Sequence, residues 1–445
     1  MNKPTVIGMT GSVGKSSERD AVRALLQDNF RIRVIEKGNS ETGVPLGILG
    51  LQVHSLGFET LGSSIFDWIR LVFSAPFSLG YLKNIQYLIV EMGIDDPYPP
   101  RNMGYMLSIV KPDISVFLNV YPVHTEQFEK TLIDTDKEAL NSTEKRIDEI
   151  LKNIAKEKGR IITDSQCKVG IYNFDNRYVK EAVAHVAEKS QIKLISFGSD
   201  ESNDVYYGRY EVAIEGTMFT FYINNEGKKE SILLKINNYA LPEEYREIFA
   251  AAIAVGKNVG MSNFQITQSL QKNFSVPPSR ASLLKGLRNS IILDSSYNAS
   301  RSAVQAFIRL GSVLAKKEKH PFVFLFGDMR ELGNEAKNEH EAVAQDIIKA
   351  VDYLYCVGPL TKEYILPVVK QEETASKLRE IKWFATSSQA GEYLKDNIPE
   401  GALILVKGSQ NTIFMEEAVK ALLQNKNDIS KLCRQESYWL QKKQI

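Results

Sequence analysis

The residues best suited to chemistry stand almost at the start of the chain. A short β-branched run leads into a loop of small residues and then into a polar helix start, in the sequence TVIGMTGSVGKSS over residues 5–17. Glycines in such a loop let backbone N–H groups point at phosphate oxygens, and the first turn of the helix adds its free N–H groups. Lys15 would reach the β- and γ-phosphates, and Ser16 would bind the accompanying Mg2+. The order strand, loop and helix predicts a site for ATP or GTP built from Gly11, Ser12, Val13, Gly14, Lys15, Ser16 and Ser17.

The spacing of this loop departs from the strict phosphate-loop pattern. That pattern has a glycine five residues before Gly14, where this chain has Met9, and the nearest glycine is Gly8. The alternative is a Gly/Ser-rich turn that binds nothing. Because strand, loop, Lys-Ser pair and helix all coincide, the nucleotide loop is favoured.

Length and composition bound the class of protein. A chain of 445 residues with 43% hydrophobic and 24% charged residues is typical of a globular protein of two or three domains. The net charge of +1 lacks the basic excess expected of a nucleic-acid partner. Its three cysteines are far apart and lack metal-ligand spacing, and the loop begins within ten residues of Met1 with no leader before it. These features favour a reducing cytoplasm.

One apolar segment, residues 65–77, raises the question of a membrane. Asp67, Arg70 and Pro76 interrupt it, and its apolar length falls short of the roughly 20 residues that a transmembrane helix needs. We expect an amphipathic helix that packs against the protein and no transmembrane segment. Loose contact with a membrane surface is the alternative.

The arrangement of strands and helices predicts the fold class, which is α/β. Near-continuous hydrophobic runs at 87–93 and 113–119 are typical of parallel strands covered on both faces, and further strands are predicted at 32–35, 160–164 and 193–198. The glycine-punctuated stretch 38–47 is predicted to be a loop, 140–158 a helix, 204–236 antiparallel hairpins and 243–259 an Ala-rich helix.

A second α/β region follows the prolines at 277 and 278. These break the pattern and mark a domain boundary, since residues before proline disfavour helix. Strands are predicted at 290–294, 321–326, 353–357 and 402–406, with helices at 301–316 and 335–350. The predicted domains are therefore 1–280, a P-loop-containing and mostly parallel sheet domain, and 281–445, a Rossmann-like domain.

Polar residues stand at the predicted carboxyl ends of strands, where ligands gather in such sheets. Glu91 and Asn119 end two strands, and His124 follows five residues after Asn119. Alone, each could contact only solvent or fill an ordinary structural role. Next to a Lys-Ser loop, a carboxylate from a neighbouring strand is a common ligand of Mg2+.

Several motifs in order resemble the Mur ligase family. Residues 10–17 are similar to its TGTNGKTT-type loop, which also has an extra glycine where Gly8 stands. The other matching segments are 39–46 (N-x-x-x-G-x-P-L), 91–93 (E-M-G), 119–126 (N-I-G-x-A-H-L-E), 294–300 (D-x-x-Y-N-A-N), 326–333 (L-G-D-M-x-E-L-G) and 406–409 (V-K-G-S).

The resemblance implies an ATP-dependent ligase that forms an amide through an acyl phosphate, with ATP and Mg2+ as cofactors. It implies metal ligation by Ser16, Glu91 and His124, catalytic roles for Lys15 and His124, and a carboxylated lysine, for which Lys145 is the candidate against an ordinary surface lysine. Nucleotide contacts are implied at Asn119, Arg280, Asp294, Tyr297 and Asn298 as the second domain closes. Substrate contacts are implied at Asn39, Thr42, Gly43, Asp328, Glu331, His340, Lys407 and Ser409.

Three departures from the family pattern bear on the substrates, expected to be a small-molecule acid and amine such as a UDP-muramoyl peptide and a dipeptide. The phosphate loop starts at once, so the usual uridine-nucleotide domain is expected to be absent. The G-x-H-N segment is replaced by residues 237–242, and the arginine after V-K-G-S is Gln410. The main hypothesis is a cell-wall peptide ligase that is a monomer. The alternatives are a ligase of polyglutamate type and a non-catalytic ATP-binding subunit.

Overall fold

The computed structural model describes residues 3–36, 41–51, 82–123, 125–132, 142–165, 167–187, 191–225, 227–372, 376–409 and 412–443, together with Ile69 and Phe73. Predictions for Asn39, His124, Gln410 and the rest of segment 65–77 lie outside these residues. Ile69 and Phe73 are exposed and helical. In the described part of the chain, every helix is too short or too polar to cross a membrane.

The chain forms two compact units. The first comprises residues 1–209, 219–234 and 246–275, and the second comprises 210–218, 235–245 and 276–445.

A nine-stranded sheet carries the phosphate loop, in the order β2-β3-β1-β4-β5-β6-β7-β8-β9. Its strands are β1 (Thr5–Thr10), β2 (Ile32–Val34), β3 (Tyr87–Glu91), β4 (Ile114–Phe117), β5 (Val169–Asn173), β6 (Lys193–Gly198), β7 (Val205–Ala213), β8 (Gly216–Asn225) and β9 (Lys228–Asn237). The strands from β2 to β7 pair in parallel. Two-residue links join β7 to β8 and β8 to β9, as the predicted hairpins require.

The helices of this part of the chain begin and end as follows: α1 (Lys15–Leu26), α2 (Gly43–Ile48), α3 (Met103–Ile109), α4 (Thr143–Thr163), α5 (Arg177–Ala187), α6 (Tyr245–Asn258) and α7 (Asn263–Asn273), with a 3-10 turn at Glu126–Leu132. α6 is buried along most of its length because its alanines let it pack closely.

Two local predictions here are wrong. Residues 160–164 are not a strand, because they complete α4, whose apolar Ile161 and Ile162 are fully buried on its inner face. The real strand is β5, a few residues later. The stretch 38–47 is not entirely loop, since α2 begins at Gly43. Short apolar runs fit either a strand or a buried helix, and the neighbouring sheet decides between them.

The second unit contains a six-stranded sheet in the order β10-β11-β15-β12-β13-β14. Its strands are β10 (Ser282–Lys285), β11 (Ile291–Ser295), β12 (Phe322–Gly327), β13 (Tyr353–Val357), β14 (Glu380–Phe384) and β15 (Leu403–Lys407). Only β10 is antiparallel to its neighbour among the described pairs. All six residues of β12 are buried, as expected for a parallel strand covered on both faces.

The helices of the second unit are α8 (Arg301–Glu318), α9 (Ala336–Ala350), α10 (Leu366–Gln371), α11 (Ser387–Asn397), α12 (Glu416–Leu422) and α13 (Ser437–Lys442). A π-helical turn lies at Thr361–Ile365 and 3-10 turns lie at Gly333–Glu335 and Lys426–Lys431. The predicted strands and helices of this unit are present, and the α/β fold class is confirmed. The prediction missed the strands β10 and β14 and the helices α10 to α13.

Candidate functional site

The phosphate loop lies where the strand order of the large sheet reverses. β1 is flanked by β3 on one side and by β4 on the other, so the loop that follows it opens at the carboxyl ends of three parallel strands. Such a reversal leaves a crevice that open α/β sheets use for ligands. Gly14 has φ +83° immediately before α1 begins at Lys15. The loop therefore has the strand–loop–helix arrangement that its sequence predicts.

Close packing against the residues that follow β4 explains why the loop needs a glycine at position 11. A Cβ on Gly11 would lie 3.0 Å from Leu118 Cβ. Asn119 supports the same turn, since its carbonyl accepts the Ser12 N–H at 2.9 Å and its Oδ1 accepts the Val13 N–H at 3.0 Å. Asn119, predicted as a nucleotide contact, thus holds the shape of the loop.

The unusual glycine spacing has a simple structural cause. Gly8 lies inside β1, before the loop, where a Cβ would be 2.4 Å from Pro112 Cγ. Met9, at the position of the strict pattern, is fully buried in the same strand. Gly8 is therefore required by packing of the strand, and the cradle itself starts at Gly11.

Lys15 folds along the loop that it follows. Its Nζ donates to the carbonyls of Gly11, at 2.9 Å, and Ser12, at 3.2 Å. Burial lowers the pKa of the Lys15 ammonium, while the nearby carboxylates of Glu91 and Asp95 act in the opposite direction. The cation is thus held inside the loop, where a phosphate would compete for it.

Ser16 and Glu91 come together across the reversal point. The Ser16 hydroxyl donates to Glu91 Oε2 at 3.0 Å, and Arg19 Nη1 lies 3.3 Å from the same oxygen. A hydroxyl and a carboxylate are the hard oxygen ligands that Mg2+ takes, so these two residues fit the predicted metal. Among the described residues, this site included, no cluster of three or more His, Cys, Asp and Glu side chains could hold a metal.

Two of the four lysines of α4, Lys145 and Lys158, differ in their surroundings. Lys145 is exposed in the first turn of the helix. Lys158 is only 4% exposed, and its Nζ donates to the Ile94 carbonyl at 3.4 Å. Burial, and then the charge of Lys15, lower the pKa of Lys158 to about 7 against the opposing carboxylates of Asp95 and Glu157. The sequence analysis did not single out Lys158, although a lysine in an otherwise apolar helix face indicates a buried amine.

The predicted substrate residues Thr42 and Gly43 lie at the start of α2. Thr42 precedes the helix and is half-buried, and Gly43 is buried. The structure therefore places them in a short helical turn, and their contacts with substrate remain a proposal.

In the second unit, three adjacent strands bring together residues that are far apart in sequence. Asp294 lies at the end of β11, Lys407 ends β15, and Asp328 follows β12. These strands are neighbours because β15 inserts between β11 and β12. The predicted residues therefore meet at one edge of the small sheet.

Most carboxyl-end residues of this second edge are buried and bonded to the protein itself. Asp294 accepts the Ser279 hydroxyl at 2.6 Å and the Ser296 N–H at 3.0 Å, and burial raises the pKa of its carboxyl. Lys407 Nζ donates to the Asn298 carbonyl at 2.7 Å. Burial, and then the charge of Arg280, lower the pKa of Lys407 to about 7.

Asp328, His340 and Ser409 form a second internal network. Thr361 N–H donates to Asp328 Oδ1 at 2.8 Å, and Ser409 N–H donates to the Asp328 carbonyl. His340 Nε2 accepts the Met329 N–H at 3.1 Å, so its Nδ1 carries the proton that goes to the Ala336 carbonyl. Burial lowers the pKa of this imidazole. These three residues shape the loops of the edge.

Four predicted residues of the second unit keep exposed surface. Arg280 and Tyr297 are half-buried, with the guanidinium 4.3 Å from the centre of the tyrosine ring, and Asn298 and Glu331 are exposed. These four are the side chains that can reach a bound molecule without rearrangement.

A comparison with known protein families matches the region of the chain that contains this second edge. Residues 279–410 match the family described as "Mur ligase, glutamate ligase domain". The resemblance to the Mur ligases is confirmed, and with it the predicted class of enzyme, an amide-forming ligase.

Relatives resemble the chain along most of its length. It is 23% identical over 410 residues to the UDP-N-acetylmuramoyl-tripeptide–D-alanyl-D-alanine ligase of Rickettsia prowazekii, a match that spans 92% of this chain and 76% of the relative. Its fold is that of MurF from Acinetobacter baumannii, with a TM-score of 0.69 at 18% identity over 95% of this chain and 77% of that one. MurF from Thermotoga maritima, solved in complex with ADP, gives a TM-score of 0.64 at 18% identity, over 96% of this chain and 81% of that one.

Proposed function

We propose that this chain joins a carboxylate to an amine at the expense of ATP, and that its substrates are those named for its relatives, the UDP-N-acetylmuramoyl tripeptide and D-alanyl-D-alanine. The observation that carries the proposal is the phosphate loop with Ser16 and Glu91 in contact at the reversal of the strand order.

The loop residues would act on the triphosphate of ATP. The N–H groups of the loop and of the first turn of α1 point donors at the phosphates, and Lys15 supplies a positive charge at the transferring γ-phosphoryl group. Ser16 and Glu91 would hold Mg2+, which neutralises charge on the phosphates. The γ-phosphoryl group passes to the substrate carboxylate, the amine attacks the activated carbonyl, and phosphate leaves as the amide forms.

In the second unit, Arg280, Tyr297 and Asn298 are proposed as nucleotide contacts and Glu331 as a substrate contact. Their exposed surface supports this, since Asp294, Asp328, His340, Lys407 and Ser409 are buried and bonded to the protein. These five would act by holding the loops that present the exposed four.

We assign the role of the carboxylated lysine to Lys158 instead of Lys145. A neutral amine is required, because the nitrogen lone pair attacks CO2 and releases a proton as the carbamate forms. Burial next to Lys15 favours the neutral amine of Lys158 and then favours pairing of the new anion with that cation. Lys145, exposed on the first turn of α4, has neither property.

The decisive experiment is a screen of acid and amine pairs for ADP formation with mass detection of the amide. We expect amine-dependent phosphate release with the muramoyl tripeptide and D-alanyl-D-alanine. Amide formed only with another pair would overturn the substrate assignment. Tight ATP binding without phosphate release for any pair would identify a nucleotide-binding subunit instead of a ligase.

Variants of α4 test the lysine assignment. Lys158→Ala is expected to lower the rate of amide formation about 100-fold, with partial recovery in acetate, whose carboxylate can enter the space left by the side chain. Lys156→Ala, an exposed lysine on the same helix, is the control. A large loss in the rate of amide formation for Lys145→Ala, with no loss for Lys158→Ala, would instead assign the carboxylated lysine to Lys145.

We further propose the two domains 1–280 and 281–445, a monomer and a cytoplasmic location. Light scattering is expected to give the mass of one chain, 50.1 kDa.

A further inference from the structure

The turn at Ser279 joins three separate segments of the second unit. Ser279 has φ +58°, which is uncommon for a residue with a side chain, so the surrounding bonds must hold it there. Its hydroxyl donates to Asp294 at 2.6 Å and accepts the Cys433 N–H at 3.1 Å, and its carbonyl accepts the Tyr297 N–H at 3.0 Å. The neighbours of Arg280 are thereby tied to the end of β11 and to the C-terminal segment.

Arg434, next to Cys433, binds the same region from the C-terminal segment. Its side chain is 3% exposed. Nη2 donates to the Tyr297 carbonyl, and the guanidinium lies 5.2 Å from the centre of the Tyr297 ring, which also contacts Arg280. Two guanidinium groups therefore set the position of one tyrosine.

A buried carboxylate holds Arg434 in place. Glu416, the first residue of α12, is fully buried, and its Oε2 accepts Arg434 Nη1 at 2.8 Å. Lys443 Nζ lies 2.9 Å from the other oxygen of Glu416 and donates to the Arg434 carbonyl at 2.9 Å. The hydrogen bonds between these charged groups fix the orientation of the guanidinium. Removal of either partner would leave an unpaired buried charge, which is energetically costly.

We propose that Arg434, held by Glu416, is a positioning residue that fixes Tyr297 and Arg280 in the arrangement that binds nucleotide. The inference rests on the proposed function, which assigns Tyr297 and Arg280 to the nucleotide. Arg434 acts through its bonds to the backbone and ring of Tyr297, and through the adjacent Cys433 bond to Ser279. The sequence motifs around 294–300 contain no sign of a partner so far along the chain.

The chemistry of the guanidinium makes this specific to arginine. Its planar fork can bond Glu416 and Tyr297 at the same time while it lies against the ring, whereas a lysine ammonium is a single point. Arg434→Lys therefore keeps the charge next to Glu416 and loses the hold on Tyr297.

The test compares nucleotide binding in Arg434→Lys and in Lys431→Met. Lys431 belongs to the same segment and pairs with Asp428 at the surface, with 62% of its side chain exposed. We expect Arg434→Lys to weaken TNP-ATP binding about tenfold and to raise the KM for ATP by the same factor, with kcat changed less than threefold. Lys431→Met should match the unchanged protein in all three quantities.

A purely structural role predicts a different pattern, in which Arg434→Lys lowers the urea midpoint and leaves TNP-ATP affinity equal to that of Lys431→Met. That result would overturn the inference. If Arg434→Lys does not fold, Glu416→Gln replaces it, because the glutamine still accepts from Arg434 while the charge is lost. A rise of about threefold in the dissociation constant of TNP-ATP is then expected, and no rise contradicts the inference.

The binding measurement needs neither the acid nor the amine. Weaker nucleotide binding by the variant in a protein that forms no amide would support the positioning role and contradict the proposed ligase activity. An unchanged affinity in a protein that does form the amide would contradict the positioning role alone. Absence of TNP-ATP binding by the unchanged protein would overturn both.

Discussion

The carboxyl-end edges of the two sheets use their polar residues in opposite ways. At the large sheet, the residues that would contact phosphate follow one another in a half-buried loop, from Ser12 to Ser17. At the small sheet, Asp294, Asp328 and Lys407 come from three strands and are buried with partners inside the protein. The first edge offers groups to a ligand, and the second uses most of its conspicuous residues to shape the loops that could do so.

The difference teaches that the same kind of motif can have two physical roles. A glycine-rich loop presents backbone donors, which need no long-range partner to point outward. A buried carboxylate or ammonium must be paired, because unpaired charges inside a protein are costly. Substitutions at the first edge should therefore affect mainly activity, and substitutions at the second edge should affect mainly stability.

The largest effect is expected from Lys15→Ala at the first edge. Loss of the cation at the γ-phosphoryl group should lower the rate of ADP formation about 1,000-fold. The urea midpoint should change little, because burial of the ammonium already costs free energy, as its lowered pKa indicates. Lys111→Ala, an exposed lysine of the same unit, is the control. A rate within twofold of the unchanged protein would remove the phosphate loop from the proposed chemistry.

A matched pair of carboxylate-to-amide substitutions compares the edges directly. Glu91→Gln should raise the Mg2+ concentration needed for half-maximal activity at least tenfold, since an amide oxygen is a weaker ligand for this ion than a carboxylate. Asp294→Asn should leave that concentration unchanged. It should lower the free energy of unfolding by about 1–3 kcal/mol, because the Asn NH2 group must face one of the two groups that donate hydrogen bonds to Asp294. Titration of activity with Mg2+ and urea unfolding measure the two quantities.

The comparison of edges fails if these two variants behave alike. Equal Mg2+ requirements would show that Glu91 is not the metal ligand. A larger loss of stability for Glu91→Gln than for Asp294→Asn would show that the first edge is the more structural one.

The smallest effect is expected in the pH dependence of the free energy of unfolding, to which Lys407 contributes at the second edge. Its pKa is about 7 in the folded protein and about 10.4 in the unfolded chain, so between these values the unfolded state binds the extra proton. Stability then rises with pH, by at most about 1.4 kcal/mol per pH unit. Lys407→Met removes this contribution. Between pH 7 and 8.5, the free energy of unfolding of the variant should therefore rise by up to about 2 kcal/mol less than that of the unchanged protein. Urea unfolding followed by tryptophan fluorescence measures the difference. Parallel curves for the two proteins would mean that Lys407 stays charged.

The first edge could be predicted from the sequence more completely than the second, because its residues are close together in the chain. Gly11, Gly14, Lys15 and Ser16 are close in sequence and form their loop through local backbone geometry, so their spacing alone predicted the arrangement. The meeting of Asp294 with Lys407 depends on β15 inserting between β11 and β12. The sequence order gives no sign of this insertion, and only the resemblance to a family placed those residues together.

Lys158 and Arg434 illustrate what sequence reasoning missed. Lys158 stands on an otherwise apolar face of α4, but only the packing of that face buries its amine and lets the charge of Lys15 act on it. Arg434 is one charged residue near the end of the chain until its fork meets Glu416 and Tyr297. The predicted strand at 160–164 was wrong for a related reason, since an apolar run does not say which neighbour will cover it.

By itself, the sequence determined the phosphate loop, the α/β class and the likeness to Mur ligases, because each depends on short-range patterns that the backbone obeys locally. The tertiary structure decided which charged residues are exposed to a ligand and which are buried as supports. Burial and pairing depend on segments more than a hundred residues apart, such as Ser295 and Lys407, and a free energy of desolvation exists only once those segments have packed together.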